Sequence, residues 1–597
     1  MEHPNPALIH PSVQGRAAPP ADRPPEALYV HGVALWQAGR RQEAIALLDE
    51  AMRRNPEFPE ALTMSAFVLG ELGKPEAALQ FYRRALSFKV DDPTAWSNVG
   101  KLLFDGGLYA EALDAFNAAL TLQPANADLW NSRSGALRKL SCVDESAESA
   151  REALRLRPDF PEAAVNLGNA LLKLDRCEEA HEAYRLAVAC KPDFAVALCG
   201  VALTLESLGR NGEAREAFEA AERLGNREAI GNKGCLDLML GDFEPGWAGY
   251  EARWISGKSI AEALGIRFPK WRGPGKAGER VLVLNDHGLG DTIQFCRYLP
   301  MIAAAGAVPT FVCPAPMQRL LSQLSGEPRL VDTVPAEPFD AQIAISSLPW
   351  AFGTRLESVP ASASYLKAEP ERVEQWAARI GDGGFKVGIV WQGNPNPEAD
   401  IARSIPLAAF APLAATRGVR LIALQKGFGV EQLGALPAGM QVETLGEEFD
   451  AGPHAFLDTA AAMTHLDLIV TCDTSIAHLA GALGRPVWVA LKKYAEWRWL
   501  RDRDDSPWYP SMRLFRQPAR GDWSGVFAKM AERLAAEVRA REGGRLLAIP
   551  GAVGELVDKI TILEIKARRI ADVDKLANVS RELALLEDQL READLSG

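Results

Sequence analysis

From Pro25 the chain can be written in rows of 34 residues, and the same columns stay small in row after row. The rows begin at Pro25, Pro59, Pro93, Ala127, Pro161 and Ala195, with no insertion between them. The eighth column reads Gly32, Ala66, Gly100, Ser134, Gly168 and Ala202; the twentieth reads Ala44, Ala78, Ala112, Ser146, Ala180 and Ala214; the twenty-seventh is alanine throughout. Small residues at fixed offsets let two antiparallel helices approach closely, and Pro56, Pro124, Pro158 and Pro192 punctuate the ends of the second helices. Each row is therefore predicted to be a helix pair. A degenerate seventh, GNKGCLDLMLGDFEPGWAGYEARW over 231 to 254, is expected to cap the array.

After the linker WRGPGKAGER the period changes from helical spacing to short β-branched runs. Strands are predicted over 280 to 286, 308 to 314 and 341 to 347, then over 386 to 393, 419 to 425, 467 to 473 and 486 to 491. Continuous apolar strands alternating with helical stretches indicate parallel sheets covered on both faces. A break near residues 366 to 385 separates two such sets, so two doubly wound lobes facing a cleft are expected. In the tail, Ile560, Leu563 and Ile565, then Leu576, Leu583, Leu586 and Leu590, form two amphipathic stretches around a short ADVDK turn. Packing or oligomerisation is the favoured role there, over a site built on Glu555, Asp558 and Lys559. The predicted class is α plus α/β, with a flexible lead over 1–24, a helical solenoid over 25–258, a two-lobed domain over 275–540 (lobes about 275–370 and 383–540) and a helical segment over 545–597.

Composition narrows the picture only coarsely. A chain of 597 residues is too long for one core. A net charge of -12 argues against a general nucleic-acid binder. The eight cysteines are scattered, with no C-x-x-C pair and no metal-ligand spacing with histidine, and read as buried thiols of a reducing compartment. The N-terminal stretch has neither a basic start nor an apolar core, and no run approaches the roughly 18 apolar residues of a membrane span. A cytoplasmic protein is expected.

Candidate chemistry sits at the predicted carboxyl ends of strands, where doubly wound folds bind ligands. NDHGLGDTIQF follows the first strand of the first lobe, with Gly288 and Gly290 allowing a tight turn and Asp291 and Thr292 opening a helix. WQGNPNPEADIARSIPL follows the first strand of the second lobe and carries Asn394 and Arg403. TCDTSIAHLAGALG follows a later strand, with Asp473, Thr474 and Ser475 in the turn and His478 one helical turn inside. Backbone N–H groups at that helix start, with the two hydroxyls, suit a phosphate. A simple helix cap would explain the same residues without a ligand.

The 34-residue rows carry the tetratricopeptide signature, whose recurrent consequence is a concave groove that binds a peptide or protein helix. A spacer or dimerisation surface is the plainer alternative. The stretches VLVLNDHGLGDTIQFCRYLP and TCDTSIAHLAGALGRPVWVAL, with WQG, RSIPL, LQKG and DDSPWYPSMRLFRQ in order, resemble the heptosyltransferase-like GT-B glycosyltransferases fused behind tetratricopeptide repeats in bacteria. The resemblance covers about residues 275 to 520. It implies an inverting, metal-independent transfer from a nucleotide-activated sugar bound mainly by the C-terminal lobe. Asp291 is then the general base. Asp473, Thr474 and His478 form the donor phosphate site, with Ser475, Asn394, Arg403 and Gln425 on the donor side.

Heptosyltransferases commonly have a glycine-like turn residue where Ser475 stands and a lysine near Arg403, so the sugar is left open. Asp502 and Asp504 form a D-x-D string, but it follows no clear strand and is interspersed with arginines, so no metal site is expected. Trp497, Trp499, Trp508 and Tyr509 are expected mostly in the core. The layout is similar to that of bacterial flagellin glycosyltransferases, which implies flagellin as acceptor and a nonulosonic acid such as pseudaminic acid, carried on CMP, as donor. A transferase of lipopolysaccharide or another glycan, and a scaffold with an inactive transferase fold, are the alternatives.

Overall fold

The computed structural model describes residues 23–254, 259–395 and 402–542, together with 560–563 and the single helical positions 579, 583 and 586. Most of the predicted lead and most of the predicted C-terminal helical segment lie outside the described residues; within the latter, Ile560 and Leu563 are buried. The chain divides into two compact units, residues up to Ala229 and residues from Ile230.

In the first unit every row is a helix pair, from Pro25–Gln37 with Arg41–Arg54 to Ala195–Ser207 with Asn211–Arg223. The first helices begin at Pro25, Pro59, Pro93, Ala127, Pro161 and Ala195, so the 34-residue register is kept throughout. The small eighth column works by contact with the twenty-fourth. A Cβ added at Gly32 would lie 3.2 Å from Leu48, at Gly100 2.5 Å from the Phe116 ring and at Gly168 2.8 Å from the Tyr184 ring. In row four both partners are small, Ser134 and Ala150, and the helices are joined by hydroxyls instead. Ser134 Oγ donates to the Ser146 carbonyl and Ser146 Oγ to that of Ser134, each at 2.8 Å.

The turn between paired helices has one left-handed residue at the fifteenth column. Glycine takes it at Gly39, Gly73, Gly107 and Gly209, while Ser141 (φ 63°) and Asp175 (φ 56°) adopt it with a side chain. The helix Arg227–Leu240 then starts two residues ahead of the 34-residue register, and the short helix Phe243–Tyr250 follows it. Gly234, Gly246 and Gly249 let the two cross in backbone contact, and Trp247 Nε1 donates to the Thr354 carbonyl at 3.0 Å. These residues from 230 onward belong to the second unit.

The second unit holds two parallel sheets. Strands β1 (Arg280–Leu284), β2 (Val308–Val312), β3 (Arg329–Val331) and β4 (Ala341–Ala344) are ordered β3-β2-β1-β4. Strands β5 (Phe385–Val390), β6 (Val419–Ala423), β7 (Glu443–Thr444), β8 (Leu468–Cys472), β9 (Val487–Leu491) and β10 (Met512–Arg516) are ordered β10-β9-β8-β5-β6-β7. Numbered within the sheet, the second order is the doubly wound 3-2-1-4-5-6, and the first is its initial four strands. β5, β8 and β9 are buried along their whole length, as apolar strands covered on both faces should be. The helix Trp523–Glu542 contributes Val526, Phe527, Met530, Leu534 and Val538 to that core.

Five cysteines are buried, but Cys142 and Cys235 are half-buried and Cys190 is exposed, contrary to the expectation for all eight. No helix among the described residues is long and apolar enough to cross a membrane.

Candidate active site

Each sheet reverses its strand order beside a polar turn. In the first sheet the reversal lies between β1 and β4, and Asp286, just past β1, reaches across it. Its Oδ1 accepts from the Ser346 amide at 3.2 Å, and its Oδ2 accepts from the Ser346 hydroxyl and from Arg253 Nη2. In the second sheet the reversal lies between β5 and β8, where Gly393 and Asn394 leave one strand and Asp473 to His478 leave the other. Such switch points are where doubly wound sheets take ligands.

The two turns meet. Gly288 precedes the helix Leu289–Phe295 with φ -73°, and Gly290 lies inside it, so neither supplies the left-handed tight turn expected from sequence. Gly290 is needed for contact instead. A Cβ there would lie 3.1 Å from His478 Cδ2 and 3.5 Å from Ser475 Cα, at the start of the helix Ser475–Ala482. Thr292 is buried, and its hydroxyl donates to Asn285 Oδ1 at 2.8 Å, which stiffens the loop.

Asp291 does not cap its helix. The cap position is Gly288, and the Asp291 carboxylate accepts from Arg498 Nη2 while its side chain remains 20% exposed. Burial pushes the carboxyl up, but the Arg498 guanidinium, the largest opposing influence, outweighs it and holds the group below the ordinary aspartate value. Arg498 Nε also donates to Gln294 Oε1 at 2.9 Å and Nη1 to Glu496, with the guanidinium 4.7 Å over the Trp497 ring. Burial works against the Arg498 charge, but Asp291, Glu496, Tyr250 and Asp473 more than compensate and raise its pKa. Sequence reasoning missed Arg498. The only available signal was a cation between two tryptophans in Trp497-Arg498-Trp499.

On the second sheet, a Cβ on Gly393 would lie 3.0 Å from Arg403 Nη2 and 3.4 Å from Thr474 Cγ2, so Arg403 and Thr474 flank one bare stretch of backbone. Asn394 follows in the same loop. No side chain caps the helix Ser475–Ala482: the Thr474 hydroxyl pairs with that of Thr471 at 3.2 Å, and Asp473 Oδ2 accepts from Trp499 Nε1 at 2.9 Å. Its first amides therefore carry no side-chain cap and lie next to the Arg403 guanidinium, an arrangement that suits an anion. Burial, then Glu496, pushes the Asp473 carboxyl above its ordinary value against Trp499, Arg498 and Arg403.

His478 is buried, stacked on Trp499 at 5.3 Å, and shares a 2.9 Å hydrogen bond through Nδ1 with Tyr509 Oη. Burial and Arg498 push its pKa down to about 3, so it brings no positive charge to the site. Gln425 is engaged with backbone. It accepts from the Trp391 and Gln392 amides and donates to the carbonyls of Gln392 and Phe428, clamping the ends of β5 and β6. Trp497, Trp499, Trp508 and Tyr509 are all buried, as expected. Asp504 is 81% exposed, and among the described residues no cluster of three or more His, Cys, Asp or Glu side chains could hold a metal.

The first unit is a tetratricopeptide-repeat array, and the second is a doubly wound α/β unit with a carboxylate and an uncapped helix start at its strand-order reversals. Residues 35–102 match a family described as Tetratricopeptide repeat, and a second model of the same description matches residues 98–161, 136–195 and 165–229. The chain is similar to Protein FlbA of Caulobacter vibrioides, at 28% identity over 319 residues, which are 50% of this chain and 53% of that protein. It thus spans about half the length of the curated relative it matches. Among solved structures it is similar to YrrB, a TPR protein with an unusual peptide-binding site, at 24% identity and a TM-score of 0.29, over 31% of this chain and 97% of that one. The pilF of Pseudomonas aeruginosa matches at 21% identity and a TM-score of 0.31, over 34% and 91% of the two chains.

Proposed function

We propose that the chain is a GT-B glycosyltransferase that holds a protein acceptor on its tetratricopeptide repeats and transfers a sugar from a nucleotide-activated donor to a Ser or Thr hydroxyl. The observation that carries this reading is the meeting, at Gly290, of the turn bearing Asp291 and the turn bearing the uncapped helix beside Arg403 and Thr474. In a single displacement, the acceptor hydroxyl gives its proton to the Asp291 carboxylate as its oxygen bonds to the anomeric carbon. The bond from that carbon to the phosphate oxygen breaks, and the electron pair leaves on the phosphate, where Arg403 and the Ser475 and Ile476 amides offset the charge. Attack opposite the leaving group inverts the anomeric centre.

The protein acceptor is supported by the repeats, since tetratricopeptide arrays present extended binding surfaces. An open groove of about 710 Å³ in rows three and four, lined by Asn117, Trp130, Arg133, Glu148 and Glu152, offers polar and aromatic contacts to a peptide. Flagellin as acceptor and CMP-pseudaminic acid as donor follow from the sequence resemblance. The test is the intact mass of flagellin from cells with and without this gene, followed by reconstitution from the full chain, CMP-pseudaminic acid and unmodified flagellin. A mass gain of one nonulosonic acid per site, only with the chain present, is expected. Unchanged flagellin in both experiments would overturn this acceptor and donor.

A further inference from the structure

We propose that Arg498 is a positioning residue of this site: its guanidinium fork, reaching across the junction of the two sheets, sets the place and the charge state of the Asp291 carboxylate. The proposal rests on the transferase reading for its catalytic consequence. Its structural basis is independent of that reading.

Arg498 is only 11% exposed, and its three groups of donors go to three acceptors. Two of these, Asp291 and Gln294, are three residues apart on one helix and so lie on one face of it. Gripping both fixes the rotation of the helix as well as the carboxylate. A planar fork can do this, whereas an ammonium point charge cannot.

The turn that presents Arg498 is itself constrained. Leu500, which follows the turn Trp497–Trp499, has φ 48°, a left-handed conformation that a bulky side chain adopts at a cost. Arg516 Nη2 holds it there by donating to the carbonyls of Trp499 at 2.6 Å and Leu500 at 2.7 Å. Trp499 is anchored to Asp473 and Trp497 lies under the guanidinium, so every residue of the turn serves to seat the arginine. Apolar packing would stabilise such a position as well as a buried ion pair does, so stability alone does not account for it.

The groups facing Asp291 are Arg498 from the Trp497–Trp499 turn, His287 from its own loop, Tyr250 from the end of the helix Phe243–Tyr250 and His478 from the helix Ser475–Ala482. The Tyr250 hydroxyl is paired with His287 Nε2 at 2.9 Å, and His478 is neutral. Arg498 alone of these four carries a fixed positive charge. Without it, burial would weigh more heavily against the Asp291 charge and raise the share of the protonated acid, which cannot take a proton from an acceptor.

The experiment is a pH titration of the full chain carrying 13C-carboxyl aspartate, with the Asp291 signal identified by its loss in Asp291→Asn, alongside the pH profile of transfer. In the wild type Asp291 titrates below the ordinary aspartate range. In Arg498→Gln it should titrate higher than in the wild type, and transfer at acid pH should fall several-fold and recover as the pH rises. Arg498→Lys keeps the charge without the fork: the titration should stay low while transfer falls about tenfold at every pH. An unmoved Asp291 titration and a wild-type pH profile in Arg498→Gln would overturn the proposal. If circular dichroism shows that Arg498→Gln does not fold, the lysine variant decides, and a wild-type rate in it overturns the role of the fork. A wild-type chain that titrates as expected but transfers no sugar to any tested acceptor would instead remove the transferase reading, and with it the catalytic role of an ion pair that still stands.

Discussion

The repeat unit is assembled from contacts that are short in sequence. Gly100 meets Phe116 within its own row, and Arg157 reaches Asp128, 29 residues back, across the length of the fourth row. In the sheet unit the contacts that matter most to the site are long: Arg498 lies 207 residues from Asp291, and Arg297 donates to the Trp508 carbonyl 211 residues away. The charges differ in the same way. The Arg157 and Asp128 side chains are 41% and 61% exposed, and such surface pairs contribute about 0–1 kcal/mol. Arg498 and Asp291 are only 11% and 20% exposed, so removing one partner leaves the other where water compensates it only in part. A row of the array can therefore vary at modest cost, while the site depends on pairs that exist only once the whole sheet unit has closed.

Asp291→Asn should break the comparison most sharply. Asparagine accepts a hydrogen bond from Arg498 but cannot serve as a base, so transfer should fall by about a hundredfold or more. Folding and acceptor capture should persist, as judged by melting and by pull-down of flagellin. A wild-type transfer rate would place the base elsewhere. Arg403→Ala should weaken donor binding by about tenfold to a hundredfold, the worth of a charge-assisted contact to phosphate, when nucleotide-sugar affinity is read by calorimetry. Unchanged affinity would mean that the uncapped helix beside it does not hold the donor.

The smallest effect belongs to the repeat unit. Ser141 occupies the left-handed column that glycine fills in four other rows, so Ser141→Gly relieves about 1–2 kcal/mol of backbone cost against roughly 0.5–1 kcal/mol of added chain entropy. A net gain of about 0.5–1 kcal/mol in thermal or urea unfolding is expected, with no change in transfer. A loss of stability would show that the column is not governed by the local backbone rule.

Local rules account for what was legible in the sequence. The start of every first helix in the six rows coincides with the start of its row, because close helix approach demands the same small columns each time. The seven strands predicted from apolar runs are all present. The three that were missed, β3, β7 and β10, are three of the four sheet edges, short or only partly buried, so they carry no continuous apolar run. The polar turns were also visible, since a Gly-rich or hydroxyl-bearing turn after an apolar strand is a local pattern.

Tertiary structure alone decided what those turns do. It made Gly290 a contact with Ser475 and His478 rather than a bend, and assigned the Gln425 amide to backbone. It buried His478 until its imidazole became neutral and brought Arg498 onto Asp291. Spacing along a chain predicts which residues share a helix face or a turn. Desolvation and pairing depend on neighbours that folding delivers from hundreds of residues away, and these set the charge of each group in the site.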